Sequence, residues 1–125
     1  MKIKLQTLAL TAGLILCSLS AAIAQQASSV RVLNVPGSVR ANTDVTLTGG
    51  LYDAWSNAPL AGRLVSIEVG ERYYVSSTPF NSGNSGVVSR TWRFMNPGRY
   101  RVSFKFNGDG SFSDSRITTF IDVVR

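Results

Sequence analysis

The sequence predicts an all-β domain, a two-sheet Greek-key sandwich of about seven strands. Apolar residues recur at every second position through most of residues 30–124, which is the period of a half-buried strand. Gly, Pro, Asn and Asp residues interrupt this alternation at short intervals, as the turns between strands require. No segment of the predicted domain shows the 3.6-residue period of an amphipathic helix.

Residues 1–24 have the layout of a secretory signal peptide. Lys2 and Lys4 form a basic head, residues 5–19 are mainly apolar, and the small residues before Ala24 resemble a cleavage site. We therefore predict a secreted chain with a periplasmic, cell-surface or extracellular location, and no stable membrane insertion after cleavage. Retention as a membrane anchor is disfavoured, because the apolar run is short against the ~20 residues that a bilayer requires. Lipidation at Cys17 is a further alternative, although Leu16 stands where a small residue is expected.

The composition excludes several kinds of catalytic site. The 125 residues include no histidine and one cysteine, so the chain lacks the residues for a serine or cysteine protease triad and for a thiolate zinc site. No pair of carboxylates is singled out by a motif, and Asn107–Asp114 lacks the turn glycine and final glutamate of a calcium loop. We expect a non-enzymatic protein without a cofactor or bound metal.

The predicted domain occupies residues 30–125, after a short N-terminal segment at residues 25–29. Its first four strands are predicted at residues 30–35, 44–48, 64–69 and 73–75, with a polar turn at residues 40–43. Val45, Leu47 and Leu51 share the expected buried face. Gly49-Gly50 predicts a bulge or a close backbone approach.

Three further strands are predicted at residues 87–94, 99–106 and 117–124. Arg90 shares a face with apolar residues, which predicts a bulge or an edge position for that strand. The strand at residues 99–106 has the clearest alternation. Its orientation is fixed, because a one-residue shift in register would bury its cations. Its predicted inner residues are Tyr100, Val102, Phe104 and Phe106, and its outer ones are Arg99, Arg101, Ser103 and Lys105.

Several motifs resemble those of bacterial immunoglobulin-like (Big-type) domains. They are a loop at residues 57–62 before a V-x-I-x-V strand, the Gly-Arg-Tyr-Arg-Val run at residues 98–102, and Phe106-Asn107-Gly108-Asp109 followed by Phe112. The resemblance extends from about Val30 to Val124 and implies an immunoglobulin-like sandwich, with Tyr100 in the place of a tyrosine corner. Members of this family usually occur as tandem spacers, adhesive modules or ligand-binding units. The single unit in this chain implies a free secreted module or one subunit of an assembly.

Two functions follow as expectations. The first is binding or adhesion at the cell surface or in the extracellular matrix, with a protein or extracellular polysaccharide as partner. The second is a homo-oligomeric fibre, built by pairing of edge strands or by exchange of residues 30–35. No specific binding of nucleic acid is expected.

Two groups of side chains are candidates for partner contact. Arg90, Arg93, Arg99, Arg101 and Lys105 form a basic run, but an immunoglobulin topology would divide it between two sheets, so a simple solvated face is favoured over one patch. Trp55 lies in a polar loop, and one of the adjacent residues Tyr73 and Tyr74 must point outward. We take as candidate contact residues Trp55, Tyr73, Tyr74, Arg99, Arg101 and Lys105, although structural packing is favoured over partner contact for the aromatic residues.

Overall fold

The computed structural model describes residues 25–71 and 74–125, which form eight β-strands. The predicted signal peptide, including Cys17, and the candidate residue Tyr73 lie outside the described residues. The strands, in chain order, are β1 Ser28–Asn34, β2 Ser38–Arg40, β3 Asp44–Asp53, β4 Leu64–Gly70, β5 Val75–Asn81, β6 Val87–Arg93, β7 Gly98–Phe106 and β8 Ser115–Val124. Within this part of the chain, no helix has the length and apolar composition that a membrane span needs.

The strands form two sheets, which confirms the predicted two-sheet architecture. The three-stranded sheet has the order β1-β3-β6, and the five-stranded sheet has the order β2-β8-β7-β4-β5. All neighbouring strands are antiparallel except β2, which runs parallel to β8. The two sheets bury one apolar core between them, and burial of such a core is the dominant favourable contribution to folding.

The core is built from the alternating positions that the sequence predicts. Val45, Leu47 and Leu51 of β3 are buried, as are the inner residues of β7. The Tyr100 hydroxyl donates a 2.6 Å hydrogen bond to the backbone carbonyl of Asn96, four residues upstream. This contact is the expected tyrosine corner, and it fixes the chain where it enters β7.

Gly49 lies where the two sheets approach closely. A Cβ at this position would lie 2.4 Å from a ring carbon of Phe104, which is fully buried on β7. The register of β1 against β3 also shifts between Val32 and Asn34, next to this glycine. Both the close approach and the irregularity predicted for this stretch are therefore present.

Arg90 lies on the inner side of β6, which is an edge strand as predicted. Its guanidinium reaches across to the other sheet and donates hydrogen bonds to the carbonyls of Ile67 and Ser76, at 2.8 and 3.1 Å. It also bonds to the Ser76 hydroxyl at 2.7 Å and lies 4.5 Å from the ring centre of Trp92. Burial lowers the pKa of Arg90. The side chain thus closes the open side of the sandwich between β6 and β5.

Two strand predictions need correction. Residues 38–40 form β2, a short strand that the sequence analysis did not identify, so the turn begins at Ala41 rather than Arg40. Its three residues are too few to show a period. The strand predicted at residues 73–75 corresponds to β5, which is Val75–Asn81; Tyr73 lies outside the described residues, and Tyr74 precedes the strand, where its carbonyl accepts the backbone N–H of Glu71 at 2.9 Å.

The N-terminal boundary also differs from the prediction. β1 begins at Ser28 instead of Val30, and the preceding residues contact the loop between β7 and β8. Gln26 donates its backbone N–H to the carbonyl of Ser111 at 2.9 Å, and its own carbonyl accepts the N–H of Ser113 at 2.7 Å. The segment from residue 25 therefore belongs to the folded unit.

Candidate contact surface

The outer face of the five-stranded sheet gathers the predicted contact residues of β7. The strand register sets them in rows, in which Arg99 lies opposite Asp122, Arg101 opposite Phe120, and Lys105 opposite Arg116. On the other side of β7, Arg101 lies opposite Gly70 of β4. Side chains in opposite positions of paired strands are close enough to interact. We call this surface the outer face.

Two ion pairs cross the outer face. Arg99 contacts Asp122 through its Nε at 3.0 Å, and this pair raises the pKa of Arg99. Arg116 contacts the carboxylate of Glu68 diagonally across β7. Ser103 of β7 lies between Glu68 of β4 and Thr118 of β8. It is only 3% exposed and shares a 2.9 Å hydrogen bond with the Thr118 hydroxyl. The ion pairs thus engage two acids of this face.

Arg101 lies between the two ion pairs. Among the residues that the structure describes, no carboxylate lies within 4 Å of Arg101. Its guanidinium lies over Gly70, where a Cβ would be 3.2 Å from Nη2. A side chain at Gly70 would therefore crowd the guanidinium. Lys105 is half-buried and likewise has no carboxylate within 4 Å in the described chain.

Exposed apolar side chains are concentrated on the same face. Phe120 is 53% exposed and Val75 is 49% exposed, and both lie in the row that contains Arg101: Phe120 directly opposite it, and Val75 beyond Gly70. Leu64 and Val124 are exposed at the ends of β4 and β8. The outer surface of the three-stranded sheet has a different character, because its central positions carry hydroxyl side chains: Thr46, Thr48, Ser89 and Thr91.

Two open hollows adjoin Arg101 on the outer face. The larger, of about 450 Å³, is lined by Gly70, Glu71, Arg99, Arg101 and Phe120. The smaller, of about 270 Å³, lies on the Val75 side and is lined by Glu68, Gly70, Val75, Arg101, Ser103 and Arg116. Gly70 and Arg101 line both hollows and therefore form the boundary between them.

The structure brings together only part of the predicted contact set. Arg99, Arg101 and Lys105 share the outer face, whereas Tyr74 is 53% exposed in the hairpin turn at its end. Hydrogen bonding to the Glu71 carboxylate raises the pKa of Tyr74. Trp55 is 88% exposed in the loop between β3 and β4, at the opposite end of the sheet from Arg99. The exposure expected for Trp55, and for one tyrosine of the pair, is therefore present.

The turn that carries Trp55 is well defined. The Asp53 carboxylate accepts the backbone N–H groups of Trp55 and Ser56 at 2.8 and 3.3 Å. The loop folds back on β3 through a 2.9 Å hydrogen bond from the N–H of Leu60 to the carbonyl of Leu51. This loop is a separate surface feature from the outer face.

Sequence reasoning missed Phe120 as a contact residue. The alternation of β8 directs Ile121 and Val123 inward, which leaves Phe120 facing outward. An aromatic residue at an outward position of a strand was the signal that could have identified it. Phe120 also lies near Arg99, whose guanidinium carbon is 5.7 Å from the ring centre.

The basic run is divided between the sheets, as the predicted topology requires. Arg90 and Arg93 belong to β6, whereas Arg99, Arg101 and Lys105 belong to β7. Arg90 faces inward, and Arg93 forms a 2.8 Å ion pair with Asp44 on the outside of the three-stranded sheet. The five cations therefore do not form one patch.

The carboxylate of Asp109 stabilises the loop after β7 through backbone hydrogen bonds and an ion pair. The Asp109 carboxylate accepts the backbone N–H groups of Ser111 and Phe112, at 2.7 and 2.8 Å, and contacts Arg63 at 3.0 Å. These hydrogen bonds, together with Arg63, lower the pKa of Asp109. In residues 25–71 and 74–125, no three potential ligand side chains gather as a metal site would require.

Comparison with known proteins establishes the fold. No protein-family model matches the sequence, and no curated protein matches it in sequence. Among solved structures, the CARDB domain of a Pyrococcus furiosus protein, described as a complex with di-metal ions, is similar with a TM-score of 0.51 and 14% identity over 78% of this chain and 87% of that one. The architecture is thus an immunoglobulin-like β-sandwich.

Two weaker similarities involve proteins of different kinds. The PKD domain of a human VPS10 domain-containing receptor has a TM-score of 0.47 and 17% identity, over 80% of this chain and 74% of that one. A β-glucosidase from Listeria innocua in complex with glucose has a TM-score of 0.49 and 6% identity over 78% of this chain. The chain spans only 16% of that enzyme's length.

Proposed function

We propose that this protein is a secreted, non-enzymatic immunoglobulin-like module that binds a partner at the cell surface or in the extracellular matrix. The observation that supports this function is that two exposed apolar side chains, Phe120 and Val75, lie in the same cross-strand row as Arg101 on the outer face. Arg and aromatic residues are enriched in the centres of protein interfaces. A sheet face that carries exposed apolar and cationic side chains together is therefore better suited to binding than a uniformly polar one.

The resemblance to bacterial immunoglobulin-like domains is consistent with this role, since modules of that family serve adhesion and ligand binding. The signal-peptide pattern of residues 1–24 favours export of the chain. Both arguments come from the sequence alone. The outer face adds a defined surface on which the binding role can be tested.

The test uses protein purified after expression of the full chain, labelled and added to intact cells and matrix of the source organism. We expect retention that falls strongly in an outer-face variant carrying Phe120→Ser and Arg101→Gln. A variant carrying Trp55→Ser is the control, because it removes an exposed aromatic residue from the opposite end of the molecule. Absence of retention, or equal loss in both variants, would count against the proposal.

Assembly into a fibre has less support from the edge strands. Glu71 donates its backbone N–H to the Tyr74 carbonyl, so these two residues form a hydrogen-bonded pair. Hydrogen-bonded and non-hydrogen-bonded pairs alternate along antiparallel strands. Pro79 and Ser66, five positions further along the β4–β5 register, therefore form a non-hydrogen-bonded pair. Pro79 therefore turns its nitrogen, which has no hydrogen, toward the open edge. Proline is a common means of preventing edge-to-edge pairing. Light scattering coupled to size-exclusion chromatography would detect assembly through any other edge.

A further inference from the structure

Arg101 lies on β7, the middle strand of the five-stranded sheet, and its charged side chain is near the centre of the outer face. The nearby acid Glu68, which lines one of the hollows beside Arg101, already pairs with Arg116. Arg99 is also engaged by Asp122. In the described chain, no carboxylate lies within 4 Å of the Arg101 guanidinium, which borders both hollows.

The surroundings of Arg101 are apolar as well as basic. Phe120 stands on one side and Val75 on the other, with Gly70 leaving the guanidinium uncovered between them. Guanidinium groups bind carboxylates through two parallel hydrogen bonds, and such bonds strengthen when neighbouring apolar groups exclude water. The complementary surface therefore has a carboxylate at its centre and apolar groups around it.

We infer that the partner of the outer face is an acidic polypeptide surface, which places an Asp or Glu carboxylate on Arg101 and apolar side chains against Phe120 and Val75. This inference rests on the proposed binding function and specifies its partner class. A polypeptide is favoured over an acidic polysaccharide because its apolar side chains can pack against the exposed side chains of Phe120 and Val75.

The inference can be tested with polymers of known composition. Binding of the purified protein is measured to a random copolymer of glutamate and tyrosine, to polyglutamate, and to polygalacturonate as an acidic polysaccharide. We expect the copolymer to bind most tightly, because it offers carboxylates and apolar rings together. Tighter binding of polygalacturonate, or binding of none of the three polymers, would overturn the inference.

Variants separate the role of Arg101 from that of net charge. Arg101→Gln should weaken binding of the copolymer by about tenfold or more, as expected for loss of a charge-assisted hydrogen-bonded pair. Arg93→Gln removes the same charge from the opposite sheet and should change binding by less than about twofold. Equal losses in the two variants would show unspecific attraction and contradict the inference.

Phe120→Ser provides the second discriminating variant. It should weaken binding of the glutamate-tyrosine copolymer but leave binding of polyglutamate unchanged, because only the copolymer has apolar groups to bury. Equal weakening of both would contradict the apolar part of the inference. Retention on cells that persists in Arg101→Gln would refute the acidic partner while leaving the binding function intact, whereas absence of retention would refute the function itself. Circular dichroism of each variant verifies the fold.

Discussion

At the scale of single residues, Gly49 shows how closely the sheets approach. A methyl group at this position would overlap the ring of Phe104, which is fully buried and cannot move into solvent. We predict that Gly49→Ala lowers the free energy of unfolding by about 1–3 kcal/mol, as overpacking of a core does. Urea unfolding followed by tryptophan fluorescence measures the change.

Gly37→Ala is the matched control for this prediction. Nothing lies within 4 Å of the position that its Cβ would occupy. The substitution should therefore change the free energy of unfolding by less than about 0.5 kcal/mol, as is usual at surface sites. If the two alanine variants were equally stable, the close approach at Gly49 would be contradicted.

Arg90 provides a second prediction at this scale. Its hydrogen bonds to Ile67 and Ser76 join the two sheets at their open side. Arg90→Leu keeps an apolar side chain but removes these bonds, and should lower the free energy of unfolding by about 1–3 kcal/mol. Chemical denaturation measures this value, and Arg93→Leu on the exposed side of the same strand should have a smaller effect.

At the scale of elements, Ser82 joins the loop after β3 to the turn after β5. This side chain is fully buried, donates its hydroxyl to the Leu60 carbonyl at 2.7 Å, and accepts the N–H of Arg63 at 2.9 Å. Ser82→Ala leaves both backbone groups without this partner, and should cost about 1–3 kcal/mol of stability. Thermal denaturation compared with Ser77→Ala, at an exposed position of β5, tests the prediction; equal melting temperatures would contradict it.

The elements also differ in how well the sequence predicts them. β7 is predicted almost to the residue, because Arg99, Arg101 and Lys105 can remain hydrated only if its apolar positions face inward. β5 has a serine-rich sequence with Pro79, which is atypical of a strand, and it exists because it pairs with β4 along its whole length. Pairing between distant segments is a tertiary effect that no local pattern reveals.

The contact surface likewise has one part that a local pattern predicts and another that depends on pairing between distant segments. Alternation within one strand predicts that Arg99, Arg101 and Lys105 face outward together. The position of Phe120 beside Arg101 depends on the register between β7 and β8. The separation of Trp55 from these residues depends on the order of strands in the sheet. Neither relation can be obtained from the spacing of residues along the chain.

At the scale of the whole molecule, the stability should depend on pH in the acid range. The folded-state pKa of Asp109 lies below the ordinary value of 3.8, because backbone N–H groups and Arg63 favour its charged form. Its contribution to stability is thus fully present above the unfolded pKa and is lost as the pH falls through the folded pKa. The chain has no histidine, so we expect little change in stability near neutral pH.

Asp109→Asn tests this dependence. The amide oxygen can still accept backbone hydrogen bonds, but the side chain no longer titrates. The midpoint of urea unfolding should therefore fall less steeply with decreasing pH below about 4 than in the parent protein. Asp114→Asn removes the same charge elsewhere in the loop and is the control; an acid dependence unaltered by Asp109→Asn would contradict the assignment.

The proline in β5 has a consequence for molecules at high concentration. A ribbon extending through many copies requires each terminal strand to supply an unbroken series of amide hydrogens to the next. On this side Pro79 interrupts the series, so another strand cannot complete a ladder of hydrogen bonds along β5. Crowded copies of this domain should therefore not extend such a ribbon through β5.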